Sequence, residues 1–117
     1  KYVQLGFEYY DSSIKYISNL INSPKFFVFS DDLNFAKQFF AQWNYEFNFV
    51  EFKKSRNSFL MDFSFMCQFD HFIIGNSTFS YWAAYLSENQ KSIIISPKKW
   101  LLNTKEENIV PENWIKF

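Results

Sequence analysis

An α/β fold, with a parallel sheet flanked by helices, is the architecture this sequence predicts, and three observations carry it. Short apolar runs recur at Phe26–Phe29, His71–Ile74 and Ser92–Ile95, each too short for a helix. Continuous runs of this kind suit strands covered on both faces. Between them lie segments whose apolar residues repeat at helical spacing. The connections are short, and strands alternating with helices across short connections are the pattern of parallel pairing. One domain is expected over residues 1–117, because a chain of this length buries most of the surface it exposes when unfolded.

Each element has its own signal. Asp11-Ser12-Ser13 reads as the opening of a first helix with its apolar face at Ile14, Ile17, Leu20 and Ile21, and Ser23-Pro24 ends it. Phe26–Phe29 is the first strand. Asp31 and Asp32 start a second helix with its stripe at Leu33, Ala36, Phe39, Phe40 and Trp43, since acids in a first turn suit the helix dipole. Tyr45, Phe47 and Phe49 alternate with Glu46 and Asn48 as a strand that loses its rhythm at Val50. A third helix runs from Ser55 to Phe69, with Phe59, Leu60, Phe63, Met66 and Cys67 on one face. A strand at 71–75, a helix at 77–88 and a strand at 92–95 closed by Pro97 follow. After Lys98 the pattern predicts loop and short turns.

Composition narrows the function classes. Twelve basic and twelve acidic residues cancel, with no long basic run, and phosphate-backbone binding needs clustered Lys and Arg, so nucleic acid is not an expected partner. No apolar run approaches the ~18–20 residues that span a bilayer, and the opening residues lack the apolar core of a signal peptide. The single cysteine, Cys67, excludes an internal disulfide and a Cys-rich metal site. Its neighbours Phe65, Met66 and Phe69 predict a buried, inert thiol. Seventeen Phe, four Trp and seven Tyr predict a core built largely of rings.

The segment from Asp70 to Trp82 is the richest in chemistry. It reads as a buried strand, a turn at Gly75-Asn76 of residues that tolerate unusual backbone angles, and a helix whose first turn carries Ser77, Thr78 and Ser80. The helical stripe is Phe79, Trp82, Ala83 and Leu86. Free backbone N–H groups at a helix start, with hydroxyl donors added, suit a phosphate; a plain Ser/Thr cap explains the same residues. In a parallel sheet, ligands sit beyond the carboxyl ends of the strands. Ser30-Asp31-Asp32, Gly75 to Ser80, and Ser96 to Lys99 would all converge on that edge.

These words also resemble a family. His-Phe-Ile-Ile-x-Asn-Ser-Thr-Phe-Ser-x-Trp at 71–82, followed by Lys91 to Pro97 and Lys98-Lys99-Trp100, is similar to the C-terminal half of family 11 glycosyltransferases. Those are α-1,2-fucosyltransferases, which move L-fucose from GDP-fucose onto a galactoside. Phe29-Ser30-Asp31-Asp32 and Ile109-Val110-Pro111-x-x-Trp114 fit the same pattern in the same order, so the resemblance covers the chain from about Phe7 onward. Tyr81, Ala83 and Tyr85 stand where the family more often has Trp, Gly and Trp. The family's His-x-Arg-Arg-Gly-Asp motif is nowhere in these residues, and with no initiating Met the chain is expected to be part of a longer protein.

The resemblance implies a Rossmann-like lobe of a GT-B-type enzyme and an inverting, metal-independent transfer without a cofactor. The implied partners are GDP-fucose and a galactoside acceptor glycan, and the parent is expected to be cytoplasmic or peripherally membrane-associated. The implied donor-binding residues are Asn76, Ser77, Thr78, Phe79 and Ser80 around the phosphates, with Ser30, Asp31 and Asp32 beside them. Asp62 matches the family's Asp that accepts hydrogen bonds from guanine. Catalytic groups are expected outside this chain.

Read without the family, the same residues keep plainer roles. Asp31 and Asp32 are helix-start acids with Ser30 as cap, and Asp62 is a carboxylate on a solvated helix face. Lys98 and Lys99 face either phosphate or solvent. His71, the only histidine, opens its strand at the end opposite the ligand edge and is expected to be satisfied by a backbone hydrogen bond rather than to act as a base. Two other functions remain open: a sugar-nucleotide transferase with a different acceptor, and a nucleotide-binding or interaction domain without catalysis.

Overall fold

Alternation of side chains along the strands sets up the whole structure, a computed structural model that describes residues 5–51, 56–75, 78–87, 91–98 and 111–117 (backbone only at 56–60, 78 and 79). The elements run α1 (Phe7–Leu20), β1 (Lys25–Ser30), α2 (Leu33–Phe40), β2 (Glu46–Glu51), α3 (Arg56–Met66), β3 (Phe72–Ile73), α4 (Thr78–Tyr85), β4 (Ile94–Ser96) and β5 (Ile115–Lys116). All pairings among the described strands are parallel. β1 lies beside β2 in the register Lys25 to Glu46 through Ser30 to Glu51, and β3–β4–β5 form a second ladder.

Helices cover both faces, as the apolar runs require. Phe72, Ile74 and Ile94 point to the side where Met66 of α3 and Ala83 and Ala84 of α4 are buried with Trp114. Ile73, Ile93 and Ile95 point to the other side, against Tyr9 and Ile17 of α1. In β1 the same alternation sends Phe26 toward α1 and Phe29 toward α3. Period-two alternation therefore builds two cores from strands that look uniformly apolar in sequence.

Several boundaries depart from the sequence pattern, each for a physical reason. α1 begins a turn earlier than Asp11, with Gly6 as N-cap and no side-chain cap. The capping-type residues are used elsewhere: Ser13 Oγ donates back to the Tyr9 carbonyl at 2.7 Å, and Asp11 accepts from Lys15 Nζ at 2.8 Å and Trp43 Nε1 at 2.9 Å. The Lys15 and Trp43 donors hold the Asp11 carboxyl below its ordinary range. Leu20, assigned to the apolar face, is exposed. Ser23, at a left-handed φ of 51°, turns the chain from α1 toward β1.

β2 continues through Val50 and starts after Tyr45, because pairing with β1 rather than side-chain rhythm sets its length. α4 buries Ala83 and Ala84 instead of the predicted Trp82 and Leu86. Small residues let α4 pack closely on α3, and the larger side chains are left outside. The tail predicted as loop carries β5, whose Ile115 pairs with Ile95 while Trp114 is buried beside it.

One hydroxyl ties α1 to the sheet. Tyr9 is buried, and its Oη lies 2.5 Å from the Ile74 carbonyl and 3.2 Å from that of Ile95. Burial, helped by the neighbouring Tyr10, raises the phenol far above its ordinary range and keeps it a donor. Tyr9→Phe is expected to leave the Ile74 carbonyl short of that donor and to cost about 1–3 kcal/mol of stability. Urea unfolding measures it, and an unchanged midpoint would mean the hydroxyl contributes nothing.

Candidate functional site

Parallel strands place three of the predicted polar segments at one edge. Ser30 closes β1, Gly75 follows β3, and Ser96 closes β4. Between β1 and β3 opens a cavity of about 750 Å³, lined mainly by strand residues and rings, with Ser30, Gly75 and Ser80 at the carboxyl ends of the strands and Lys25, Asp70 and His71 where the strands begin. α4 starts at Thr78, three residues after Gly75. The first turn of that helix offers backbone N–H groups that have no partner within the helix. Ser80 Oγ lies 3.4 Å from the Gly75 carbonyl.

The predicted residues fare differently. Ser30 and Ser80 share the cavity. Ser30 is not the cap of α2: its Oγ accepts from the Asp32 N–H at 3.0 Å, and it is Asp32 that caps, with Oδ1 accepting from the Phe35 N–H at 3.1 Å. Asp32 is thus committed to the helix, while Asp31 is exposed beside it; neither lines the cavity. Asn76 and Ser77 lie outside the described residues, as does Lys99, and Thr78 and Phe79 are described by backbone alone. Lys98 is exposed, and its N–H donates to the Phe117 carbonyl at 2.8 Å.

Asp62 is half-buried rather than on a solvated face. Its Oδ2 is buried and has no hydrogen-bond partner among the described residues. A buried acceptor without a partner is uncommon and costly. Asp62 lies outside the cavity lining, so the cavity and the carboxylate are separate features. Gly75 does not use a left-handed backbone as expected. A Cβ there would meet Leu5 Cδ1 and Tyr10 Oη at 3.9 Å, ordinary contact distances.

His71 behaves as its position suggests: Nδ1 accepts from the Ile93 N–H at 2.9 Å, at the start of β3. Cys67 packs against the α3–α4 core, and desolvation raises its thiol above the ordinary range. No group of three His, Cys, Asp or Glu that could hold a metal occurs among the described residues. No described helix is long and apolar enough to cross a membrane. Tyr10, which lines the cavity from α1, carries no sequence signal, because the pattern starts the helix after it.

Comparison with known proteins supplies the remaining constraint. The family description "Glycosyl transferase family 11" matches residues 1–117. An Escherichia coli O-antigen biosynthesis glycosyltransferase, WbnK, is 32% identical over 112 residues, which is 95% of this chain and 36% of that protein. An Escherichia coli alpha-1,2-colitosyltransferase is 32% identical over 111 residues, 93% of this chain and 38% of that protein. The chain therefore spans little more than a third of the length of these relatives. No solved structure matches it significantly. A match over its whole length, with relatives that align across nearly all of it, settles the kinship: the chain belongs to glycosyltransferase family 11.

Proposed function

We propose that this chain is the C-terminal, donor-binding part of an inverting α-1,2-fucosyltransferase of GT-B type, which moves L-fucose from GDP-fucose to a galactoside acceptor. The observation that carries the reading is the edge where Ser30, Gly75 and Ser80 meet at the carboxyl ends of parallel strands, next to the start of α4. In the proposed reaction an acceptor hydroxyl attacks the anomeric carbon, its proton is taken up by a base, and GDP leaves. Negative charge grows on the β-phosphate as the bond breaks. Donors fixed there stabilise the transition state without a metal. Asn76, Ser77, Thr78, the Phe79 N–H and Ser80 are the residues assigned to that cradle, with Ser30, Asp31 and Asp32 on its flank. The catalytic base is assigned to the rest of the protein.

Asp62 is assigned to the guanine, and its unpartnered oxygen supports a role in which the ligand supplies the missing donors. A second reading, transfer of colitose, has its own support, because one relative is named for that sugar and linkage. The phosphate cradle is common to both readings. In the whole protein, Ser77→Ala with Thr78→Val is expected to weaken donor binding by about 1–3 kcal/mol through lost charge-assisted hydrogen bonds. Steady-state kinetics with GDP-fucose and with a colitose donor check it. An unchanged donor KM and kcat would return the turn to a plain helix cap.

A further inference from the structure

The two ladders face each other across the cavity, and the way they do so identifies what is absent from it. β1 is paired only with β2, and β3 only with β4, among the described residues. Along β3 and the residue after it, the N–H groups of Phe72 and Ile74 donate to the carbonyls of Ile93, just before β4, and Ile95 within it. Strand alternation then turns the Ile73 N–H away from β4, toward the cavity. The cavity wall on the opposite side is β1, Lys25 to Ser30. A buried row of unpaired backbone groups is costly, and a strand edge is a template for another strand.

Direction and connection follow from α1. Its start lies near the carboxyl end of β3, where a Cβ placed on Gly75 would come within 3.9 Å of Leu5 Cδ1 and Tyr10 Oη. Its end feeds β1 through Ile21 to Pro24, and Ile21 packs in the same cluster as Phe26. So β1 and β3 run parallel, and α1 descends over the space between them. The polypeptide reaching Leu5 arrives at the carboxyl edge, beside the open side of β3. A parallel strand rising through the cavity would deliver it there, and would make α1 the helix of a strand–helix–strand unit ending in β1.

We propose that the cavity between β1 and β3 is the seat of a parallel β-strand, formed by the polypeptide that precedes Lys1 in the whole protein. The relatives carry more than half of their length outside the matched region, enough to supply it. With that strand in place the order becomes the doubly wound 3-2-1-4-5-6, the inserted strand being strand 1. The order then reverses between the inserted strand and β3, beside Gly75 and the start of α4. A small-molecule occupant need not offer the Ile73 N–H an acceptor along the strand, whereas a neighbouring parallel strand does.

The test compares amide exchange in this 117-residue chain with that in the longer protein. In the short chain the Ile73 amide is expected to exchange freely. In the longer protein it should slow by at least 100-fold, with cross-strand nuclear Overhauser contacts from upstream residues to Ile73 and to β1. Equal exchange in the two proteins would overturn the proposal, as would protection in the longer protein without those contacts. Protection already present in the short chain would also overturn it, because β1 and β3 would then pair directly. None of these readings depends on which sugar, if any, the protein transfers.

Discussion

Incubated with GDP-fucose and lactose, the 117-residue chain alone is expected to yield no fucosyllactose above background, whereas the whole protein should turn over. The family's His-x-Arg-Arg-Gly-Asp motif is absent from these residues. The proposed chemistry needs positive charge at the departing phosphates, and the segments assigned to their cradle and its flank, residues 76–80 and 30–32, hold no Lys or Arg. Stabilising the charge that develops on the leaving oxygen commonly lowers the barrier more than any other effect, and removing even one donor costs about 100-fold or more in rate. Clear turnover by the short chain would overturn the assignment of catalytic groups to the rest of the protein.

The second large effect is expected at Asp62. Guanine presents its N1–H and its 2-amino group side by side, and a carboxylate accepts from both. In the whole protein Asp62→Asn should weaken GDP by about 1.5–3 kcal/mol, the range for a hydrogen bond to a charged group, and leave UDP and ADP nearly unchanged. The same substitution should not lower the melting temperature, because Oδ2 is buried without a partner in the folded chain and an amide is cheaper to bury than a carboxylate. Competition by the three nucleotides and a thermal melt measure the two quantities together. Equal affinity of the unsubstituted protein for all three nucleotides would end the guanine assignment. A large fall in melting temperature would make Asp62 a structural residue instead.

The fold class was legible because strand runs such as Phe26–Phe29 and His71–Ile74 are continuous and their neighbours helical in period. What escaped depends on partners distant in sequence. β5 is two residues long and exists because β4 offers it an edge, so nothing local marks it. The packed face of α4 is set by what α3 allows against it, which favours Ala83 and Ala84 over Trp82. The start of α1 was masked by hydroxyl and acid residues that imitate a cap but serve Tyr9, Lys15 and Trp43. At the candidate site, the convergence of Ser30 and Ser80 follows from strand parity and direction, both readable in advance. The half-burial of Asp62 was also within reach, since it stands four residues before the buried Met66 and therefore on the same side of α3.

α1 also has a mechanical role. Its Tyr9 hydroxyl holds β3 and β4, while Phe7 stacks on Trp43 at 5.2 Å and Tyr10 meets Phe39 and Phe40 edge-on, all from the α2 side. β1 meets the end of α3 and the segment leading to β3 through rings, Phe27 and Phe29 against Phe65 and Phe69. Rings in contact can slide, whereas a hydroxyl bonded to a strand carbonyl cannot without breaking. The helix is therefore a clasp across a seam, and unfastening it would part the chain into two pieces that each keep their own ladder. Stability is concentrated in a short stretch near the start of the chain, so trimming a few residues there would loosen far more structure than it removes.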